Sequence, residues 1–181
     1  MSDADGRLSA GPGPRGDEVL TFVVMGVSGS GKTTVGAALS MRLGVAFIDA
    51  DTLHPPSNVQ KMAAGQPLED ADRLPWLALV GRRLQHDRAR GRGSVAACSA
   101  LRRTYRDLLR AYAPDARFVL LSGSEELIKA RVRERHAGLL PEALVGSQFE
   151  ALEPLGADER GMTVDVSSTP DQIVDLILRE L

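Results

Sequence analysis

Apolar positions along the chain fall into two rhythms that alternate. Five short, nearly unbroken apolar runs, VLTFVVM (19–25), VAFID (45–49), SVAAC (94–98), RFVLL (117–121) and MTVDV (162–166), have the length and composition of strands buried on both faces. Between them the spacing changes to three and four residues. Val35, Leu39 and Leu43 predict a helix after the first run, and Ser57 to Gly65 reads as a short helix with a serine cap and a glycine stop. Leu77, Val80 and Leu84 predict a helix that opens near Pro75, where a first turn tolerates proline, and closes at the Arg/Gly-rich stretch 88–93. Leu101, Tyr105, Leu108 and Tyr112 mark a helix after the third strand, and 124–137 and 141–152 read as two more. The last helix opens on Thr169-Pro170-Asp171-Gln172, a capping box with proline at the first helical position. Strands alternating with helices predict an α/β chain whose five-stranded parallel sheet is covered on both faces, with ligands bound beyond the carboxyl ends of the strands.

Composition narrows this picture without changing it. The 181 residues suffice for one domain, expected over 18–181, while 1–17 lack an apolar core and read as a disordered tail. A net charge of −2 gives no reason to expect a nucleic-acid or membrane partner. No run approaches the roughly 18 apolar residues of a membrane span. Cys98 is the only cysteine, which excludes an internal disulfide and favours a reducing cytoplasm. It reads as a small buried residue. Three lysines stand against nineteen arginines, so each lysine is informative.

One of the three, Lys32, lies in GVSGSGKT (26–33), which fits G-x-x-x-x-G-K-[ST] between a predicted strand and a predicted helix. Glycines at 26, 29 and 31 let the backbone N–H groups of Gly26, Val27, Ser28, Gly29, Ser30 and Gly31 curl into one concavity, and the helix beginning with Thr33 and Thr34 adds its positive end. Lys32 would reach the β/γ-phosphates of a nucleotide, and the Thr33 hydroxyl would ligate Mg²⁺. Downstream, Asp49 and Asp51 are two apart at a strand end, so both carboxylates leave on one face beside this loop. One would hold a magnesium water while the other accepts a proton from an attacking hydroxyl. A guanine-reading N-K-x-D is absent.

GVSGSGKTTVG, DADTLHPPSNVQKMAAGQPLEDADRLPWL, ACSALRRTYRDLLR and SQFEALEPL together resemble the gluconokinases of the small P-loop kinase type, from about residue 21 to the C-terminus. The resemblance implies a three-layer α/β/α P-loop kinase fold with a helical lid over about 124–152. It also implies transfer of a phosphoryl group from MgATP to D-gluconate, and a homodimer. On this reading His54, Lys61, Arg73, Arg106 and Gln148 serve the sugar acid, Asp51 receives the proton of the reacting hydroxyl, and Asp49 with Thr33 serves the metal. Asp70 and Asp72 are expected to pair with Arg73 and order their loop, Trp76 to pack, and Arg102 and Arg103 to form a solvated face. In the lid, Arg131 and Arg135 are four apart on a helix and would clamp the phosphates. Where many relatives read His-Phe-Met, this chain has Gly138, Leu139 and Leu140, with His136 two places earlier. Two other readings stay open: a kinase of the same fold with another sugar acid or small hydroxylated acceptor, and a nucleotide-binding regulator.

Overall fold

The computed structural model describes residues 19–136 and 142–181, without the side chains of residues 135, 136 and 142–144. The tail at 1–17, the altered segment at Gly138 to Leu140, and the side chains of Arg135 and His136 lie outside that description.

All five predicted strands form: β1 (Thr21–Met25), β2 (Ala46–Asp49), β3 (Ser94–Ala97), β4 (Arg117–Ser122) and β5 (Gly161–Asp165). They make one sheet in the order β2-β3-β1-β4-β5, parallel at every pairing. The helices are α1 (Lys32–Leu43), α2 (Pro56–Ala63), α3 (Asp70–Arg88), α4 (Arg103–Tyr112), α5 (Glu125–His136), α6 (Glu142–Ala151) and α7 (Pro170–Arg179), with a 3₁₀ turn at Ala50–Leu53.

The apolar strands bury both faces, as their lack of alternation requires. Phe22 and Val24 of β1 pack with Val35 and Leu39 of α1, Ile128 and Val132 of α5, and Ile173 and Ile177 of α7. Val23 and Met25, pointing the other way, pack with Trp76, Leu77, Val80 and Leu84 of α3 and Tyr105 and Leu109 of α4. The result is three layers, α/β/α. Strand order reverses around β1, which makes its carboxyl end a switch point where a crevice opens. The glycine loop follows that end.

Two helix starts differ from the sequence reading. α3 begins at Asp70, a turn before Pro75, because the Asp72 carboxylate accepts the Glu69 backbone N–H at 3.0 Å and caps the helix there. Pro75 then sits inside the helix. α2 begins on Pro56 with Pro55 at its cap and has no side-chain cap from Ser57. The expected capping box of α7 is present, with Gln172 N–H donating to Thr169 Oγ1 and Thr169 N–H to Gln172 Oε1.

Candidate active site

The phosphate loop depends on glycine at two places. Gly26 has φ 143° and a Cβ there would meet the Leu121 carbonyl at 2.7 Å; Gly29 has φ 82° and a Cβ would meet Val132 Cγ2 at 2.4 Å. α5 therefore packs directly onto the curl of the loop, and any side chain at Gly29 would push it away. Lys32 opens α1 and folds back across the loop, its Nζ donating to the Val27 carbonyl at 3.0 Å. Burial lowers its pKa, while Asp51 and Asp49 act in the opposite direction. The ammonium thus lies within the field of both carboxylates.

The aspartates are set by the turn that follows β2. Asp49 Oδ1 accepts the Asp51 N–H at 3.1 Å and caps the 3₁₀ turn. Asp51 is exposed, and its Oδ1 lies 3.9 Å from Nε2 of His54. The His54 side chain is only 4% exposed. Asn58, one helical turn on, donates through Nδ2 to His54 Nδ1 at 3.2 Å and to the Asp72 carbonyl at 3.0 Å. That leaves the imidazole hydrogen on Nε2, toward Asp51. Burial lowers the His54 pKa, so the ring is neutral at pH 7 and faces the carboxylate at 3.9 Å, beyond direct hydrogen-bond reach.

Lys61 and Asp72 form a pair at 2.7 Å, and this bond, with the Glu69 N–H, holds the Asp72 carboxyl below its ordinary range. The expectation that Asp70 and Asp72 pair with Arg73 is overturned. Arg73 instead donates from Nε to the Leu68 carbonyl at 3.1 Å, while Asp70 accepts from Arg102 Nη1 at 3.1 Å and from the Tyr105 hydroxyl. Burial and that bond to Asp70 push the Tyr105 phenol up to about 12. Arg102 is thus not merely a solvated face: with Asp70, Arg73, Tyr105 and Ser147 it lines a cleft of about 540 Å³. The charge of Arg73 acts on both His54 and Tyr105, and Arg73 itself lines this cleft.

A second cleft, of about 470 Å³, opens on the other side of the loop between Gly29, Thr34, Arg131, Val166, Ser168 and Pro170. Its walls join apolar Val35, Val132 and Ile173 to polar Ser30, Thr34, Arg131 and Ser168, a mixture that suits a nucleotide.

This arrangement matches known proteins along nearly the whole chain. The family model described as "AAA domain" matches residues 22–155. A gluconokinase of Gluconobacter oxydans (strain 621H) is 45% identical over 158 residues, 87% of this chain and 89% of that one. The thermosensitive gluconokinase of Escherichia coli (strain K12) is 43% identical over 81% of this chain and 79% of its own. A crystal structure of a gluconokinase from Sinorhizobium meliloti 1021 superposes with a TM-score of 0.82 at 44% identity, covering 89% of this chain and 90% of that one. The chain belongs to the gluconokinase family.

Within this gluconokinase fold, one residue read as functional occupies another place. Arg106, expected at the substrate, has a side chain that is 0% exposed. Its Nε and Nη2 each donate to Glu159 at 2.7 Å, Nη1 to the Leu101 and Glu153 carbonyls at 3.1 Å, and Nη2 to Pro154 O at 3.2 Å. All five guanidinium hydrogens are thereby used, and none remains for a sugar acid. Arg106 holds the 153–159 segment against the start of α4. Arg131, expected over the phosphates, donates from Nη2 to the Val166 carbonyl at 2.7 Å and lines the cleft that also holds Gly29, Ser30 and Gly31 of the loop.

Gln148 lies against the phosphate loop, where its Oε1 accepts the Ser28 N–H at 2.6 Å. Thr33 is exposed at the start of α1. Three features went unread in the sequence. Asn58 had a signal, since it sits four residues from His54 in a helix start. Glu159 had none, because its partner Arg106 lies 53 residues away. Ala100 had none either: it is fully buried with φ 37°, a strained conformation for a residue with a Cβ, in the loop whose Ser99 carbonyl accepts the Gly26 N–H at 3.4 Å.

Proposed function

We propose that this chain transfers the γ-phosphoryl group of ATP to D-gluconate, giving 6-phospho-D-gluconate. The observation that carries the reading is the cleft beside the phosphate loop. Arg73 and Arg102 stand with Asp70, Tyr105 and Ser147, a mixture of cations, donors and an acceptor suited to a short polyhydroxylated acid. The family membership supports the same substrate.

In this mechanism Asp51 accepts the proton of the reacting hydroxyl, and the Nε2–H of His54 faces its carboxylate. The new O–P bond forms in line as the bond between the γ-phosphorus and the β–γ bridging oxygen breaks. ADP leaves with the charge that Lys32 and the loop N–H groups stabilise. The loop from Gly26 to Thr34 cradles the phosphates, and Arg131 flanks the nucleoside. Lys61 orders the α2–α3 region through Asp72 and presents its remaining donors to the acid. Mg²⁺ fits the hard oxygen donors present, the Thr33 hydroxyl and the Asp49 carboxylate, and when bound it would neutralise charge on the phosphate oxygens. α5 and α6 would form the lid, with Arg135 one turn beyond Arg131 as the cation for the phosphates. A cytoplasmic homodimer without a nucleic-acid partner completes the proposal.

ADP release tests it. Gluconate should stimulate release strongly, whereas shikimate and nucleoside monophosphates should not. Equal stimulation by a nucleoside monophosphate would overturn the sugar-acid assignment, and another sugar acid preferred over gluconate would favour a sister activity of the same fold.

A further inference from the structure

α6 runs along both halves of the site. Its Ser147 and Ala151 line the acceptor cleft, while Gln148 between them reaches the phosphate loop. The contact is specific in its polarity. A backbone N–H only donates, so the atom that meets Ser28 N–H at 2.6 Å is the carboxamide oxygen, and the Nε2 hydrogens are on the other arm. The loop N–H groups aim into the phosphate cradle, so a group that accepts one of them stands at the cradle's mouth. The side chain on the neighbouring residue faces the acceptor. The carboxamide is therefore held between the phosphate loop and the helix that lines the acceptor cleft.

We propose that Gln148 is a catalytic residue whose Nε2–H donates to the phosphoryl group in transit, with Ser28 N–H fixing the amide so that the donor and not the oxygen is presented. The inference rests on the phosphoryl-transfer reading above and not on the identity of the acceptor. A donor rather than a carboxylate suits this place, because the triphosphate and an acidic acceptor already crowd it with negative charge. A donor aimed at charge that spreads over the phosphoryl oxygens stabilises the transition state more than the bound ground state.

Two substitutions in the full chain separate this role from simple anchoring of α6. Gln148→Glu keeps an oxygen for Ser28 N–H but replaces the donor with a negative charge; Gln148→Ala removes both. If the donor matters, Gln148→Ala lowers kcat by about 10²-fold, the usual loss for one transition-state donor, with ATP affinity by titration changed less than about threefold. Gln148→Glu then falls at least about tenfold below Gln148→Ala. If Gln148 only anchors the helix, Gln148→Glu restores activity toward that of the parent. Gln148→Glu equal to or above Gln148→Ala, or Gln148→Ala equal to the parent, overturns the proposal. Gln148→Met, of similar length and lacking a donor, replaces the alanine variant if shortening the side chain lowers the melting temperature. A parent that releases no ADP on gluconate would overturn the acceptor assignment alone. The same order of variants is then read from acceptor-free ATP hydrolysis, where water receives the phosphoryl group.

Discussion

The imidazole of His54 lies flat against the indole of Trp76, with ring centroids 4.1 Å apart and planes inclined by 15°. Trp76 is itself pinned, 1% exposed and donating from Nε1 to the Ala50 carbonyl at 2.7 Å. A buried residue of the α3 core thereby sets the angle of a ring that faces Asp51. Trp76→Leu should leave the phosphate loop intact but let His54 tilt, lowering kcat/KM for gluconate roughly tenfold with little change in ATP affinity. Steady-state kinetics beside a nucleotide titration would check this, and equal losses in both would point to general unfolding of α3. As the only tryptophan in the chain, Trp76 should also report acceptor binding as a change in emission.

Lys32→Ala removes a charge-assisted contact to the β/γ-phosphates and should lower turnover by at least about 10²-fold. The variant should fold normally, because Lys32 bonds only to the loop carbonyl of Val27 among the described residues. A folded variant that turned over like the parent would show that another cation serves the phosphates.

Asp51→Asn removes a proton acceptor but no phosphate contact. Turnover should fall by about 10²-fold or more while ATP affinity is kept. Unchanged turnover would take Asp51 out of the mechanism, and Asp49 would become the remaining candidate base.

The buried pair of Arg106 and Glu159 belongs to stability rather than to substrate. Hydrogen bonds from Arg106 foremost, with the Gly156 N–H and Arg110, hold the Glu159 carboxyl down to about 2 against an ordinary 4.5. A carboxyl with a lowered folded pKa stabilises fully above its unfolded value and loses that contribution as pH falls toward the folded one. The melting temperatures of the parent and of Glu159→Gln should therefore differ most above about pH 4.5 and converge as pH approaches about 2. A constant difference across that window would show that Glu159 acts by packing alone. Arg106→Met would leave the Glu159 charge with only Arg110 and the Gly156 N–H, and should cost about 3 kcal/mol.

Arg106 also shows where the sequence stops being legible. The strands, the parallel sheet and the phosphate loop could be read because their determinants are local: unbroken apolar runs, glycines at set spacing, a lysine in a chain poor in lysine. Asp49, Asp51 and His54 could be placed for the same reason, being at the end of one strand and in the turn that follows. Arg106 was misplaced because nothing near it in sequence reveals that Glu159, 53 residues on, fills its guanidinium. Pro75 was misread as a helix start because the real start depends on an acidic capping box, Glu69 with Asp72, in place of the commoner serine or threonine. The Val166 carbonyl that accepts from Arg131 lies 35 residues away and had no signal either.

The central claim is that the phosphoryl group goes from ATP to a sugar acid in this cleft. Incubating the purified chain with ATP, Mg²⁺ and gluconate, and measuring ADP together with the mass of the sugar acid, tests that claim most directly. The account predicts 6-phosphogluconate formed mole for mole with ADP, and formation of both lost in Asp51→Asn. ADP appearing at the same rate without gluconate, with inorganic phosphate in place of a phosphorylated sugar acid, would contradict it.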